Sequence, residues 1–453
     1  MIPHPAKPAC FKAYDIRGKV PAELDLDLAY RIGLSMARFL RAKKIIVGRD
    51  CRLSSQELCA AAAHGLTDGG ADVLDIGQCG TEMVYYATFS QEADGGVMVT
   101  ASHNPMDHNG MKLVRAGAKP ISGDSGLDEI GTGALEIDLE IKGRRGTVTR
   151  QDIQADYVRY MLAKVDTAAI KPLKIVANGG NGCAGPVVRA LAEHLPCEFI
   201  HIFDEPDGHF PNGIPNPLLP ENRSATAEAV RRHGADLGLA WDGDFDRCFF
   251  FDENGDFIEG YYLVALLAEA ALRKDPGGKI VHDPRLTWNT IDRVRKAGGV
   301  PIMNKTGHAF MKERMRREDA VYGGEMSAHH YFRSFAYCDS GMMPWLYMLG
   351  EISRSGQTLG ALVRGMQAGY PASGEINRRL QDPEGALARV EKKYAPDAVS
   401  GDRTDGLSLD MGPWRFNLRL SNTEPVIRLN VESRGDTALM REKTAEILTL
   451  LDE

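Results

Sequence analysis

Three aspartates in the stretch WDGDFDRC have the residue type and spacing that suit metal binding. Asp242, Asp244 and Asp246 lie two residues apart, and three carboxylates on so short a segment repel one another unless a cation lies among them. A site with only oxygen ligands favours a hard ion such as Mg²⁺. Arg247 follows the cluster and could hold a phosphate beside the metal. The stretch therefore predicts a magnesium site.

Two other interpretations of this acidic stretch compete. An EF-hand loop would place its bidentate glutamate at Glu253, but its sixth position is Arg247 in place of glycine and its flanks resemble strands. A solvated acidic turn without a metal is the other alternative. The strand-like runs DLGLAW and CFFFDENG on either side favour a metal-binding loop at a sheet edge.

A second candidate is the serine that ends the strand-like run VMVTAS. Ser102 is followed by His103 and Pro105, then by Asn109-Gly110 and Lys112. Proline and Asn-Gly favour turns, so these residues predict a loop after the strand. Either this is a polar loop at the end of a sheet, or the Ser102 hydroxyl is presented for chemistry.

The stretch RLSNTEPVIRLNVES combines groups that bind anions. Arg419, Ser421, Asn422 and Thr423 lie at a predicted turn between strands, and Arg428 follows five residues later. This stretch could bind a phosphate group of a substrate that does not take part in the reaction, through a guanidinium, two hydroxyls, an amide and exposed N–H groups. An ordinary turn with a surface arginine explains the stretch equally well.

The stretch GGEMSAHHYF could recognise a sugar. If it is extended, alternation places Glu325, Ser327 and His329 on one face, where they could bind sugar hydroxyls. Polar residues on an exposed strand face are the alternative. Lys305 and His308, at the end of the preceding predicted strand, add a cation and a titratable group.

The turn GNGCAG at residues 180–185 matches GxGxxG between a predicted strand and a helix, with Asp204 about twenty residues on. Alone it satisfies the fingerprint of a dinucleotide site. The same spacing arises wherever a strand turns tightly into a helix, and Pro186 suits a first helical position. A structural turn is therefore the favoured interpretation.

Alternating strands and helices position these candidates. The alternation argues for parallel or mixed α/β sheets in three successive units, and the last unit reads as a small α+β domain. The predicted domains are residues 1–149 with the serine loop, 150–253 with the acidic loop, 254–367 with the sugar loop and 368–453 with the phosphate loop.

Composition narrows the class of protein. The 453 residues are 43% hydrophobic and 26% charged with net charge −8, which is typical of a globular protein and argues against nucleic acid as a partner. The eight cysteines are scattered without a CxxC pair, which favours reduced thiols in the cytoplasm. No signal peptide or membrane span is expected.

Taken together, YDIRG, TASHNP, DGDFDR, GEMSAHH and RLSNTEP occur in the order and at the spacing of one family. The chain resembles the α-D-phosphohexomutase superfamily, and in particular the bacterial phosphomannomutase/phosphoglucomutase group, over essentially its whole length. The resemblance implies a four-domain, heart-shaped architecture. Three similar mixed α/β domains and a smaller C-terminal α+β domain would surround a central cleft, each supplying one loop.

The resemblance also implies roles for individual residues. Ser102 corresponds to the family's phosphoserine and is a metal ligand together with Asp242, Asp244 and Asp246. Catalytic positions besides Ser102 are Arg17, His103, Lys112, Arg247, His308 and His329, with Lys112, His308 and His329 the candidates for general acid or base. Substrate-binding positions are Tyr14, Arg285, Lys305, Glu325, Ser327, His329, Arg419, Ser421, Asn422, Thr423 and Arg428.

One position departs from the family pattern. Arg285, in DPRLT, stands where a lysine is expected. Positive charge is kept, but a planar guanidinium does not replace an ammonium point charge, so the substrate contact of Arg285 is in question.

The activity that the resemblance implies is reversible phosphoryl transfer between C1 and C6 of mannose and glucose phosphates. It would use Mg²⁺, the phosphoserine and a hexose 1,6-bisphosphate, which is intermediate and activator. The product would supply sugar 1-phosphates for nucleotide-sugar and polysaccharide synthesis. A monomeric cytoplasmic enzyme with small hexose phosphates as substrates is expected, with no nucleic acid or membrane partner.

Three alternatives remain beside this expectation. A phosphoglucomutase or phosphoglucosamine mutase would have narrower specificity. An oxidoreductase would use GNGCAG to bind a dinucleotide. A non-catalytic relative would only bind sugar phosphates, although Ser102 and the three aspartates argue against it.

Overall fold

The structure is a computed structural model and describes residues 7–136, 139–141, 143–420 and 426–453. Its elements fall into two units, each with its own interior. The first unit extends to Phe257 and includes Ser334–Ser355, and the second comprises Ile258–Arg333 and Gly356–Glu453.

The amino-terminal sheet carries the serine loop. Its elements are β1 (Ile16–Lys19), α1 (Leu26–Leu40), β2 (Lys44–Arg49), α2 (Ser55–Asp68), β3 (Asp72–Gln78), α3 (Thr81–Ser90), β4 (Gly95–Val99), β5 (His108–Arg115), β6 (Lys119–Pro120), α4 (Leu127–Glu136) and β7 (Val148–Arg150). The strand order is β1-β5-β4-β2-β3-β7, with β6 beside β5. Strands β4, β2, β3 and β7 are parallel, so their carboxyl ends meet at one edge.

One sequence prediction for this region is wrong. Asn109-Gly110 does not shape a loop, because both residues lie in β5, antiparallel to β1 and β4. A Cβ at Gly110 would lie 1.9 Å from the carbonyl oxygen of Ile16. Glycine is therefore required by the close approach of two strands and not by a turn.

The next sheet carries the acidic loop. Its elements are α5 (Gln154–Leu162), β8 (Lys174–Asn178), α6 (Ala184–Ala192), β9 (Glu198–Ile202), α7 (Ser224–His233), β10 (Leu237–Trp241), β11 (Cys248–Phe251) and β12 (Phe257–Ile258). The order is β12-β11-β10-β8-β9. Strands β10 and β11 form an antiparallel hairpin that closes on the pair Trp241–Cys248. As predicted, the aspartates lie between two buried strands.

The third region begins with a long buried helix. Its elements are α8 (Gly260–Lys274), β13 (Lys279–His282), α9 (Trp288–Lys296), β14 (Val300–Met303), α10 (His308–Glu318), β15 (Tyr322–Gly324), β16 (His330–Phe332), β17 (Cys338–Asp339), α11 (Met343–Ser355) and α12 (Leu359–Gly369). Within the second unit the strand order is β14-β13-β15-β16. β13 is parallel to β14 and β15, and β15 is antiparallel to β16.

The carboxyl-terminal region is an α+β fold, as the sequence predicted. Its elements are β18 (Ile376–Arg379), α13 (Pro383–Tyr394), β19 (Ser400–Asp402), β20 (Leu407–Asp410), β21 (Trp414–Leu420), β22 (Val426–Ser433) and α14 (Thr437–Asp452). The antiparallel order is β18-β22-β21-β20-β19. Trp414, Phe416 and Leu418 alternate along β21 and join a buried cluster with Ile447 and Leu451 of α14.

Among the helices within the described ranges, none is long and apolar enough to span a bilayer.

Candidate active site

Ser102 lies three residues beyond the end of β4 on an unusual backbone. Its φ is +49°, in the left-handed region that costs a residue other than glycine about 1–2 kcal/mol. The side chain is buried, and the backbone N–H of Ser102 donates to Thr100 Oγ1 at 2.9 Å. Backbone strain held in place by surrounding contacts is a feature of functional sites.

The hydroxyl of Ser102 is directed at a carboxylate and an imidazole. Ser102 Oγ donates to Asp242 Oδ2 at 2.8 Å and lies 3.0 Å from His103 Nδ1. Arg247 Nη2 lies 2.8 Å from the same Asp242 oxygen and 2.5 Å from His103 Nδ1. Burial, and then the positive charges of Arg247 and Arg17, hold the pKa of His103 well below its usual value. His103 is therefore a neutral acceptor at physiological pH.

The three aspartates of the hairpin loop form one buried cluster. Asp242 and Asp244 are fully buried and Asp246 is 2% exposed, and one oxygen from each lies within 4.8 Å of the others. Asp244 Oδ1 is buried and makes no hydrogen bond within the described part of the chain. An oxygen-only donor set with such a buried acceptor fits a small hard cation.

Two cations already neutralise part of this negative charge. Lys112 Nζ lies 2.8 Å from Asp244 Oδ2 and 2.5 Å from Asp246 Oδ2. Burial alone would lower the pKa of Lys112, but the two carboxylates outweigh it and raise the pKa. Burial raises the pKa of Asp242 to about 6, although Arg247 opposes the shift. Lys112 therefore keeps its proton beside the carboxylates.

Arg17 holds the serine loop by its polar groups. Arg17 Nη1 donates to Asn104 Oδ1 at 2.5 Å and to the Ala101 carbonyl at 3.4 Å, and Nε pairs with Asp15 at 2.8 Å. Tyr14, which the sequence placed with Arg17, is half-buried and lies two residues before β1.

Arg52 also positions this loop and was not predicted from the sequence. The guanidinium is 3% exposed and donates to four loop carbonyls at 2.6–3.1 Å: those of Ser102, Asn104, Pro105 and His108. Arg52 follows β2, the parallel neighbour of β4. Since the carboxyl ends of parallel strands share an edge, this placement was available from the sequence.

The second unit gathers three arginines around one carboxylate. Arg285 Nη1 lies 3.3 Å from Glu375 Oε2, Arg419 Nη2 lies 3.5 Å from the same oxygen, and Arg428 Nη1 lies 3.6 Å from Oε1. Arg285 Nη2 also pairs with Asp283 Oδ2 at 2.7 Å. We call Arg285, Arg419, Arg428 and Glu375 the arginine cluster. Glu375 was not identified from the sequence.

The GEMSAHH segment differs from the extended strand that the sequence predicted. β15 ends at Gly324, and residues 325–329 form a tight turn in which the Glu325 N–H donates to the His329 carbonyl at 2.9 Å. Alternation therefore does not decide which of these side chains share a face, because the left-handed residue Ala328 (φ +70°) reverses the chain.

Glu325 and Ser327 nevertheless make defined polar contacts. Glu325 is 2% exposed and accepts from the Gly307 N–H at 2.8 Å and from the Tyr331 hydroxyl at 2.5 Å. Ser327 Oγ lies 3.5 Å from Arg285 Nη2. This contact connects the predicted sugar loop to the arginine cluster.

The remaining predicted residues have less defined surroundings. The Lys305 ammonium lies 3.3 Å from the centroid of the Phe310 ring, and His308 is the first residue of α10. Ser421, Asn422 and Thr423 lie outside the described residues. Arg419 and Arg428, on either side of them, are paired across β21 and β22.

Four family models match the chain in order. They are described as phosphoglucomutase/phosphomannomutase alpha/beta/alpha domains I, II and III and the C-terminal domain. The matched residues are 8–139, 155–255, 259–370 and 375–449. Together the models account for most of the chain.

Curated relatives and solved structures match over nearly the same length. The chain is 59% identical to a phosphomannomutase of Salmonella montevideo, with 98% of this chain and 99% of the relative covered. It is 59% identical to a protein of Xanthomonas campestris described as phosphohexose mutases, with 97% and 98% covered. A crystal structure of a phosphoglucomutase/phosphomannomutase family protein from Burkholderia thailandensis is 32% identical, with 98% and 97% covered and a TM-score of 0.86.

Proposed function

We propose that this chain, which belongs to the phosphoglucomutase/phosphomannomutase family, moves a phosphoryl group reversibly between C1 and C6 of mannose and glucose phosphates. Full-length similarity to a phosphomannomutase and to phosphohexose mutases supports hexose phosphate mutase activity. The main support for Ser102 as nucleophile and phosphoryl carrier is the position of its buried hydroxyl, which lies 2.8 Å from Asp242 in the cluster of three carboxylates.

In this proposal Ser102 carries the phosphoryl group between turnovers. A hydroxyl of the hexose phosphate attacks the phosphorus of phosphoserine, the P–Oγ bond breaks, and the proton of the attacking hydroxyl ends on Ser102 Oγ. The product of this half-reaction is a hexose 1,6-bisphosphate. After the bisphosphate turns around, Ser102 Oγ attacks its other phosphate and the bond between that phosphorus and the sugar oxygen breaks. The proton of the Ser102 hydroxyl ends on the sugar oxygen, which restores phosphoserine and releases the isomeric monophosphate.

The residues around Ser102 fit a magnesium ion. Asp242, Asp244, Asp246 and Ser102 Oγ are oxygen donors, and the unpartnered Asp244 Oδ1 is an acceptor for which an ion is suited. When bound, Mg²⁺ would stabilise negative charge on the transferring phosphoryl oxygens.

The neighbouring side chains have separable tasks. Arg247 holds Asp242 and is placed to neutralise phosphoryl charge. His103 is a weak base because its pKa is held well below its usual value, and its Nδ1 accepts from Arg247, so it would orient Arg247 beside Ser102. The raised pKa of Lys112 favours charge neutralisation over proton abstraction. His308 and His329 remain the candidates for general acid and base.

The predicted sugar and phosphate loops would bind the rest of the substrate. Arg419 and Arg428, with Ser421, Asn422 and Thr423, would bind the phosphate that is not transferred. Glu325 and Ser327 would bind sugar hydroxyls at C3 and C4. Since glucose and mannose differ only at C2, a site without a hydrogen bond there accepts both.

Arg285 has a different use from the one expected of a lysine. Its guanidinium is 3% exposed, and it contacts Asp283, Glu375 and Ser327. We assign it to positioning Ser327 and the arginine cluster. Nucleotide-sugar and polysaccharide synthesis would consume the sugar 1-phosphate product.

A coupled assay tests this function. Purified protein with Mg²⁺ and a trace of glucose 1,6-bisphosphate is given glucose 1-phosphate, mannose 1-phosphate or glucosamine 1-phosphate. Conversion of the first two to 6-phosphates is expected, and phosphorylated Ser102 should appear in the intact-protein mass spectrum. Efficient turnover of glucosamine 1-phosphate alone would favour the narrower alternative, and no turnover of any substrate would contradict the proposal.

Close packing explains the glycines of GNGCAG without a bound dinucleotide. A Cβ at Gly185 would lie 1.7 Å from the Asp204 carbonyl oxygen, and one at Gly182 would lie 2.7 Å from the Gly243 carbonyl oxygen. These glycines therefore serve close packing within the first unit. Nucleotide fluorescence that rises on addition of the protein would restore the alternative.

A further inference from the structure

The arginine cluster brings three guanidinium groups to a single side chain. Glu375 is 18% exposed, and its two oxygens lie 3.3–3.6 Å from Arg285, Arg419 and Arg428. Burial would raise the pKa of Glu375, but the three arginines outweigh it and lower the pKa. The carboxylate is therefore ionised at physiological pH and presents its oxygens as a phosphate would.

Strand register places two arginines of this cluster side by side. Arg419 of β21 and Arg428 of β22 lie directly opposite each other, and like charges at such positions destabilise a sheet. Glu375 immediately precedes β18, where Asn377 is paired with Arg428. The pairing of β18 with β22 therefore places the Glu375 carboxylate beside the like-charged side chains of Arg419 and Arg428.

Two other acidic side chains near the cluster, Asp283 and Asp405, have further hydrogen-bond partners of their own. Asp283 pairs with Arg285 at 2.7 Å and accepts the N–H of Met326 at 2.8 Å. Asp405 accepts from the Thr306 hydroxyl at 2.5 Å and lies 3.4 Å from Arg419 Nη1. Among the described residues, Glu375 is the carboxylate that contacts all three guanidiniums, and its contacts of 3.3–3.6 Å are longer than the 2.7 Å pair of Asp283 and Arg285.

We propose that Glu375 competes with phosphate for the three arginines. Its carboxylate holds the arginines together before substrate binds and lowers their affinity for phosphate afterwards. This rests on the proposed function, in which Arg419 and Arg428 bind the phosphate that is not transferred. An incoming phosphate takes N–H groups from Glu375 and then lies beside an ionised carboxylate, which repels it.

Weakened binding has a use in this reaction. The bisphosphate must release its non-reacting phosphate from the cluster, turn around and bind through its other end. Three unopposed guanidiniums would bind a phosphate dianion tightly and slow this release, because binding energy that is equal in all states does not accelerate turnover. Glu375 lowers that uniform binding, so it is a positioning residue that tunes release.

A purely structural ion pair would behave in the opposite way. If Glu375 only held the arginines in place, its neutralisation would let them separate and phosphate affinity would fall. If it competes, neutralisation removes the repulsion and phosphate affinity rises. The direction of the change therefore separates the two roles.

The test measures inorganic phosphate binding by calorimetry in wild type, Glu375→Gln and the matched control Glu384→Gln. Glu384 is an exposed acid in the first turn of α13 of the same unit. We expect Glu375→Gln to bind phosphate roughly tenfold more tightly, with the control unchanged. The gain should vanish in an Arg428→Met background, which assigns it to this cluster.

Kinetics give the second readout. In Glu375→Gln, KM for glucose 1-phosphate should fall together with kcat, as expected for slower release. Equal or weaker phosphate affinity in Glu375→Gln overturns the proposal. If that variant does not fold, Glu375→Asp replaces it: its shorter carboxylate should also bind phosphate more tightly than wild type, and unchanged or weaker binding overturns the proposal. A wild type without mutase activity would refute the proposed function while leaving the phosphate comparison readable.

Discussion

At Ser102 a strained backbone, a buried hydroxyl and a carboxylate acceptor occur together. The residue keeps φ at +49° because its carbonyl is held by Arg52 at 3.0 Å and its N–H by Thr100 at 2.9 Å. Neighbouring His103 accepts a hydrogen bond from Arg247 at Nδ1, and its pKa is held well below its usual value. In the proposed reaction such a serine would need no base of the hydrolase kind, since its partner would be a phosphate.

Removal of the Ser102 hydroxyl should separate chemistry from binding. We expect Ser102→Ala to lose mutase turnover by roughly a thousandfold or more, because no phosphoryl carrier remains, and to bind glucose 1-phosphate as wild type does. A coupled assay and calorimetry measure the two effects. The exposed serine of β19, changed as Ser400→Ala, is the control, and wild-type-like activity in Ser102→Ala would rule out this nucleophile.

The aspartates predict a defined metal response. Asp244→Asn removes one anionic oxygen from the cluster, so the Mg²⁺ concentration for half-maximal activity should rise about tenfold or more. The control is Glu253→Gln, which changes the twelfth position of the rejected EF-hand pattern. An increased metal requirement in both variants would favour the EF-hand interpretation, because Asp244 is the third position of that pattern. An unchanged requirement in Asp244→Asn would contradict the metal site.

At the scale of elements, the sequence indicated the strands but not all of their partners. The buried run GGVMV and the hairpin around the aspartates were recognisable from apolar patterning. The turn at residues 325–329 was missed because a left-handed alanine reverses the chain there. Arg52 and Glu375 were missed because the loop carbonyls and the arginines that they contact lie 44 residues or more away along the chain. A local pattern does not report such contacts, although the position of Arg52 after β2 indicates the sheet edge at which it lies.

Arg52 predicts how the loop after β4 depends on the loop after β2. Arg52→Lys keeps the charge but loses the fork that reaches four carbonyls. Because misplacing a reacting group by about 1 Å can cost about a hundredfold in rate, we expect kcat to fall roughly 10–100-fold with a smaller change in KM. Steady-state kinetics measure this split.

The control for Arg52 separates a positioning role from a loss of stability. If Arg52 acts only through global stability, Arg52→Lys assayed well below its unfolding temperature should turn over at the wild-type rate. That result would contradict a positioning role for Arg52.

Helix α3 carries a buried acid that makes stability depend on pH. Glu82 is fully buried, accepts the Gly341 N–H at 2.5 Å and bonds to the Tyr157 hydroxyl. Burial raises its pKa to about 8. Because the folded state holds a proton that the unfolded state releases near pH 4.5, this stability is full below pH 4.5 and is lost as the pH rises through 8.

Glu82→Gln should remove that pH dependence. Between pH 5 and 8 the free energy of unfolding of wild type should fall by roughly 3–5 kcal/mol more than that of the variant, measured by urea unfolding. The exposed acid of α2, changed as Glu57→Gln, should retain the wild-type slope. Equal slopes in wild type and Glu82→Gln would show that Glu82 does not hold this proton.

At the scale of the whole molecule, the family models bear out the predicted superfamily and the four-domain architecture of three α/β domains and one α+β domain. The domain boundaries at 149, 253 and 367 stay predictions. The superfamily could be predicted from the order and spacing of five short motifs. Each motif is a continuous stretch of sequence, so it can be recognised even where the residues that it contacts are far away along the chain.

Substrate range is a property of the whole molecule. If Glu325 and Ser327 read only C3 and C4, kcat/KM for glucose 1-phosphate and mannose 1-phosphate should agree within about tenfold, since no buried group is left unpaired by either epimer. Parallel coupled assays at one Mg²⁺ concentration measure the ratio. A preference above a thousandfold would require a contact at C2.

The left-handed backbone at Ser102 also bears on how such a protein could change over generations. Glycine occupies that conformation without strain, so a single Ser102→Gly change would silence the chemistry while leaving the chain as stable or more so. The arginine cluster would still bind its phosphate. A duplicated copy could thus become a folded sugar-phosphate sensor in one step, and natural selection for stability alone would not remove it.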